Sequence, residues 1–184
     1  LSIERLGILV LSRQGKAALV LAEELGQSKD LTDVQRGLLY ERWGEALSGE
    51  GKYAESAELI REGLAAGYQT SANNLAWQEL FVSGHQNIDE AIAHARSERP
   101  DDGALHTLAA LLAATGDYVE AMETIDRAQQ VRGSALAIDW LVYGRVAADL
   151  GFIQSAREVY ERVYSDEDAR DNDSRVSTAR LARR

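Results

Sequence analysis

The sequence predicts an all-α protein arranged as a solenoid of antiparallel helix pairs, and three observations carry that expectation. Apolar residues recur at three- and four-residue steps along most of the chain, which gathers them on one side of a helix. Short breaks at Gly51, Gly116 and Leu150-Gly151 cut these stripes into helix-length pieces. One template also repeats. A small residue on a first helix is followed 12 positions later by a small residue on a second, as Gly44 and Ser56, Ala109 and Ala121, and Gly144 and Ala156. A looser copy, Ala76 and Ala91, is separated by 15, which implies a three-residue insertion near Gly84-His85-Gln86. The anchors Gly44, Ala76, Ala109 and Gly144 step by 32, 33 and 35 residues. A period of about 34 residues with two helices per unit marks a helical array.

Residues 1–28 read as a degenerate helical hairpin or cap, broken at Gln14-Gly15-Lys16, with Leu6, Leu9 and Val10 on one stripe and Ala18, Leu21, Ala22 and Leu25 on the other. Ser28-Lys29-Asp30 is a loop, and Thr32 or Asp33 can cap the next helix. Four pairs follow, at about 37–68, 69–100, 102–133 and 137–165. The first carries Tyr40, Trp43, Gly44 and Leu47, and closes at Ala66-Gly67. The second has a first helix from Ser71 to Val82 with Trp77 and Phe81, then a short helix opened by Asn87 or Asp89. From Ala91 to Ala109 there are 18 positions, against 23 from Ala121 to Gly144, so about one turn is missing there. Asp101 or Asp102 caps the third pair, and Gly133-Ser134 opens the fourth. The segment 166–184 changes character. Five acids crowd Asp166 to Asp173, and Arg175, Arg180, Arg183 and Arg184 follow without one, as an acidic linker and a basic capping helix or tail.

Trp140-x-x-Tyr143-Gly144-x-x-Ala147 followed by Ala156-x-x-x-Tyr160 resembles the tetratricopeptide repeat (TPR) pattern, as does Tyr40-x-x-Trp43-Gly44-x-x-Leu47 with Ser56-x-x-x-Ile60. The segments Gly116 to Ala128 and Gly51 to Leu64 resemble that family's second helix. The resemblance covers about residues 37–165 and is of the bacterial type, in a whole protein or a domain of one. It implies a right-handed α-solenoid. Two departures stand out: Glu79 occupies a place where an apolar residue is usual, and Pro100 alone supplies the family's terminating proline.

Composition narrows the function classes. With 20 Lys and Arg against 30 Asp and Glu, the chain carries a net charge of −10, which repels phosphate backbones and argues against generic nucleic-acid binding. There is no cysteine, hence no disulfide framework and no thiolate nucleophile or ligand. No apolar run approaches the ~18 residues of a membrane span. No basic leader is visible, although the chain begins at Leu1, which leaves the true N-terminus open. The compartment is not fixed, with the cytoplasm as the default.

Catalysis finds little support. No H-E-x-x-H, Walker A or G-x-S-x-G pattern occurs. Glu90, His94 and Glu98 stand at i, i+4 and i+8 and could offer metal ligands, but a solvated helix face with stabilising pairs is the simpler account of them. The acids from Asp166 to Asp173 lack the glycine and spacing of an EF-hand loop. The expectation is therefore a protein that is not an enzyme and has no cofactor or metal. Trp43, Trp140, Tyr143 and Tyr160 are read as core.

Next to the small anchors runs a flanking stripe on each first helix: Glu41, Glu45 and Ser48; Asn73, Trp77 and Leu80; His106, Ala110 and Ala113; Leu141, Arg145 and Ala148. In the proteins this chain resembles, that stripe lines the concave groove where peptides or partner domains bind. The implied partner-binding set is Glu41, Glu45, Asn73, Trp77, His106, Leu141 and Arg145. Members of that family that grip acidic chaperone tails use Lys, Arg and Asn across this groove as a carboxylate clamp; here two glutamates, with only Asn73 and Arg145 of that kind, argue against such a tail. The glutamates favour a partner segment with basic residues and an apolar anchor. The alternatives are a self-assembly module of a larger multidomain protein, its end repeats stacking into a homo-oligomer, and, less favoured, a metal-dependent enzyme using His94 with Glu90 and Glu98.

Overall fold

The computed structural model describes residues 2–68, 72–82, 87–97, 101–136 and 139–165. Among these residues every regular element longer than a turn is an α-helix: α1 (Ile3–Leu11), α2 (Gly15–Gly26), α3 (Asp33–Gly49), α4 (Tyr53–Ala65), α5 (Ala72–Glu79), α6 (Ile88–Ser97), α7 (Asp102–Thr115), α8 (Tyr118–Arg132), α9 (Trp140–Asp149) and α10 (Ile153–Ser165). None is long and apolar enough to cross a membrane. The segment 166–184 and Glu98 lie outside the described residues.

Local chemistry sets the helix ends. Thr32 and Gln35 form a reciprocal capping box: the Thr32 Oγ1 accepts from the Gln35 N–H at 3.3 Å, and the Gln35 Oε1 accepts from the Thr32 N–H at 2.9 Å. Asp101 accepts from the Ala104 N–H at 2.8 Å and starts α7. Gly116 and Gly151 stop α7 and α9 with φ of +90° and +83°, a left-handed step that a side chain would oppose. At α5 the outcome differs from the expected helix ending at Val82. The helix closes at Glu79, and Leu80 and Phe81 continue as a turn that swings the Phe81 ring onto Tyr53, centroid to centroid at 4.2 Å.

The chain divides into two compact units, Leu1–Gln86 and Asn87–Arg184. The insertion expected near Gly84-His85-Gln86 lies outside the described residues; the boundary falls after Gln86, so α5 and α6 belong to different units.

In the first unit, the N-terminal hairpin is a full partner in the core. Ile3, Leu6 and Val10 of α1 and Leu21, Ala22 and Leu25 of α2 close on Leu39 and Ala46 of α3. Trp43 packs against this cluster and over Gly26, where an added Cβ would sit 3.0 Å from the indole. At the α3–α4 crossing, Ser56 donates its hydroxyl to the Gly44 carbonyl at 2.8 Å, and a Cβ on Gly44 would lie 3.0 Å from Ile60 Cδ1. The spacing of 12 therefore marks a true close approach. Ser48 extends this polar seam by donating to Gln78 Oε1 of α5 at 2.5 Å. Glu79, one residue on, is only 1% exposed, and its carboxylate meets the Arg61 guanidinium of α4 at 2.7 Å. The out-of-pattern acid is thus a buried, paired acid.

In the second unit, α7 is the centre. Every residue from Ala104 to Ala113 is buried, and α6, α8 and α9 each pack on it. α9 and α10 meet closely at Gly144, where an added Cβ would fall 2.6 Å from Tyr160 Cδ1. The rings expected in the core are placed differently. Trp140, Tyr143 and Tyr160 are partly exposed and stand at its rim, as Trp43 is at the edge of the first unit's core. The amphipathic character of tyrosine and tryptophan explains this. Tyr143 keeps its hydroxyl outward, donating to Asp126 at 3.0 Å and accepting from Gln129 at 3.1 Å, and Trp140 lies 4.6 Å beneath the Arg162 guanidinium.

Candidate partner-binding surface

Glu41 and Glu45 sit one turn apart on α3 and are both partly exposed. Between them Arg42 donates to Glu45 at 2.8 Å. That hydrogen bond raises the Arg42 pKa above its ordinary value, against the cost of burial and with help from the charges of Glu45 and Glu41. One of the two glutamates is therefore already answered from within, and the stripe is less acidic than the pair alone suggests.

On α5, Asn73 and Trp77 lie four residues apart and keep part of their surface. The indole is braced. Phe81 meets it edge-on at 5.9 Å and 69°, and Phe81 in turn stacks on Tyr53 of α4. Trp77 thus packs on a ring that is itself stacked on another, and it remains partly exposed.

The second unit presents its share differently. His106 is 6% exposed and Leu141 is 7% exposed, whereas Arg145 is exposed and paired with Asp149 at 2.8 Å along α9. His106 belongs to a buried charge cluster at the junction of α7, α8 and α9. Its Nδ1 lies 3.6 Å from a carboxylate oxygen of Asp139, itself 0% exposed, and the other oxygen accepts from Arg132 at 2.5 Å and from the Leu136 N–H at 2.8 Å. Arg132 also reaches Asp102 at 3.5 Å. The cluster ties the entry of α9 to the ends of α7 and α8.

A groove of about 460 Å³ opens on the same unit, floored by Ala104, Leu105 and Leu108 and rimmed by Arg96, Glu120, Glu123 and Arg127. Arg96 closes one side by donating to both oxygens of Glu120 at 2.7 and 2.9 Å.

For metal binding, Glu90 and His94 lie 3.5 Å apart on α6, and among the described residues no group of three His, Asp or Glu side chains is placed to hold an ion. The burial of His106 had a signal in the sequence: no charged residue occurs between Asp102 and Asp117, and a helix without a polar face is a buried one. The role of Arg42 had one too, since Glu45 stands three residues on in the same helix, whereas those of Arg61 and Arg132 had none, because each depends on where another helix lies.

Comparison with protein-family models, with curated proteins and with solved structures returned no match to this chain.

Proposed function

We propose that this protein is a protein-interaction scaffold. In this reading its helix pairs follow the right-handed tetratricopeptide arrangement, and it receives a segment of another protein along the flanking stripe of its first helices. The observation that supports this best is Trp77, a large ring packed edge-on against Phe81, which stacks on Tyr53, yet left partly exposed. A braced aromatic loses little freedom on binding and buries a large area, which is why such residues dominate interface energetics. On the first unit, taken by itself, Glu41, Glu45 and Asn73 supply polar contacts beside Trp77; on the second, taken by itself, Arg145 is an exposed polar contact, while His106 and Leu141 are buried. The partner segment carries basic residues and an apolar anchor for Trp77. Displacing Arg42 from Glu45 is part of what a basic residue must do, so affinity from that charge is modest and salt-sensitive.

The test is affinity capture by the purified protein, with Trp77→Ala and Arg145→Glu beside the unaltered chain. Both variants are expected to lose capture while retaining helicity and melting midpoint. Folded variants that capture undiminished would remove the reading, and an early melt of Trp77→Ala would assign that ring to the core.

A further inference from the structure

The turn between α9 and α10 exposes three large apolar side chains in a row of four residues: Leu150 at 55%, Phe152 at 63% and Ile153 at 61%. The turn does not need them. The corresponding positions are Glu50, Lys52 and Tyr53 between α3 and α4, and Thr115, Asp117 and Tyr118 between α7 and α8, so the same backbone step forms with polar residues at the first two places. At the third, Tyr53 is covered by Phe81, while Ile153 remains open.

We propose that this turn is the docking surface for a second copy of the chain. The charge pattern favours that occupant. The whole chain carries −10, but residues 140–165 hold three cations (Arg145, Arg157, Arg162) and three anions (Asp149, Glu158, Glu161), a balance of 3 − 3 = 0. Two acidic molecules approach one another at least cost where each is neutral. Arg157 and Glu161 follow Ile153 at one and two helical turns on the same face of α10. Both are exposed, and neither has an ion partner among the described residues. One unpaired cation and one unpaired anion beside an apolar turn make a self-complementary patch, as a two-fold interface requires, because each copy offers the same surface to the other.

The experiment is the solution mass of the full chain by sedimentation or light scattering, from micromolar to millimolar concentration. The mass is expected to rise toward two chains, and to stay at one for the double variant Phe152→Asp, Ile153→Asp at unchanged helicity. Phe152 directly precedes α10, where aspartate is a favourable cap, so that variant folds. Arg157→Glu is expected to weaken association at least tenfold, and adding Glu161→Arg to restore it. A wild-type chain that remains single throughout overturns the proposal, as does a pair that survives the double variant. A chain ending at Ser165 that pairs while the full chain does not also overturns it, by showing that residues 166–184 occupy the patch.

Discussion

Gly144 shows how much one missing Cβ can decide. Alanine there adds helix propensity of about 1 kcal/mol, yet its methyl would overlap the Tyr160 ring at 2.6 Å. A leucine adds bulk that moving the ring cannot accommodate, and overpacking of this kind costs about 1–3 kcal/mol. Gly144→Leu is therefore expected to lower the urea midpoint clearly, and an unchanged midpoint would mean that α9 and α10 do not approach here. Tyr143 gives a test by pH. Burial first, and then its hydrogen bond to Asp126, raises the phenol above its usual pKa of 10.0. A group with a raised folded pKa contributes stability that is complete below the unfolded value and is lost as pH rises through the folded one. The stability difference between the unaltered chain and Tyr143→Phe should thus hold at neutral pH and shrink above about pH 10, as followed by urea titration at each pH. A gap that widens there would contradict the assigned direction.

At the scale of elements, the Arg61–Glu79 pair joins α4 to α5, and its two ends are unequal. Glu79 is 1% exposed, whereas the Arg61 side chain is 29% exposed and also pairs with Glu58 at 2.6 Å. Removing the arginine takes an ion pair from a buried carboxylate, while removing the glutamate leaves a partly exposed cation that keeps Glu58. Arg61→Leu should therefore cost about 2–3 kcal/mol, reduced from the full value for buried pairs by its exposure. Glu79→Leu should cost less than half of that. Equal losses in denaturant titration would show that the pair is not asymmetric in this way. The same elements show what the sequence could and could not reveal. The capping residues Thr32 and Asp101, the breaks at Gly51 and Gly151 and the close crossings at Gly44 and Gly144 were legible, because each is a local or strictly spaced signal. The early stop of α5, the shelter given to Glu79 and the rim positions of Trp140 and Tyr143 were not, since they follow from side chains contributed by other helices. The groove stripe was legible only as a register. A position on a helix face is not an exposure, and His106 and Leu141 are buried because α7 and the start of α9 are covered by neighbours.

For the whole molecule, the all-helical architecture of the described residues follows directly from the sequence pattern, while the division after Gln86 falls where the spacing of small residues departs from 12. The central claim is that this scaffold holds a partner segment against the stripe containing Trp77. The most direct test is the affinity of a captured partner for the unaltered chain and for Trp77→Ala, measured by titration calorimetry alongside thermal melts of both. The account predicts that affinity falls by at least tenfold, about 1.4 kcal/mol or more, at a melting midpoint nearly unchanged. Equal affinities for two folded proteins would contradict it and move the binding surface elsewhere on the molecule.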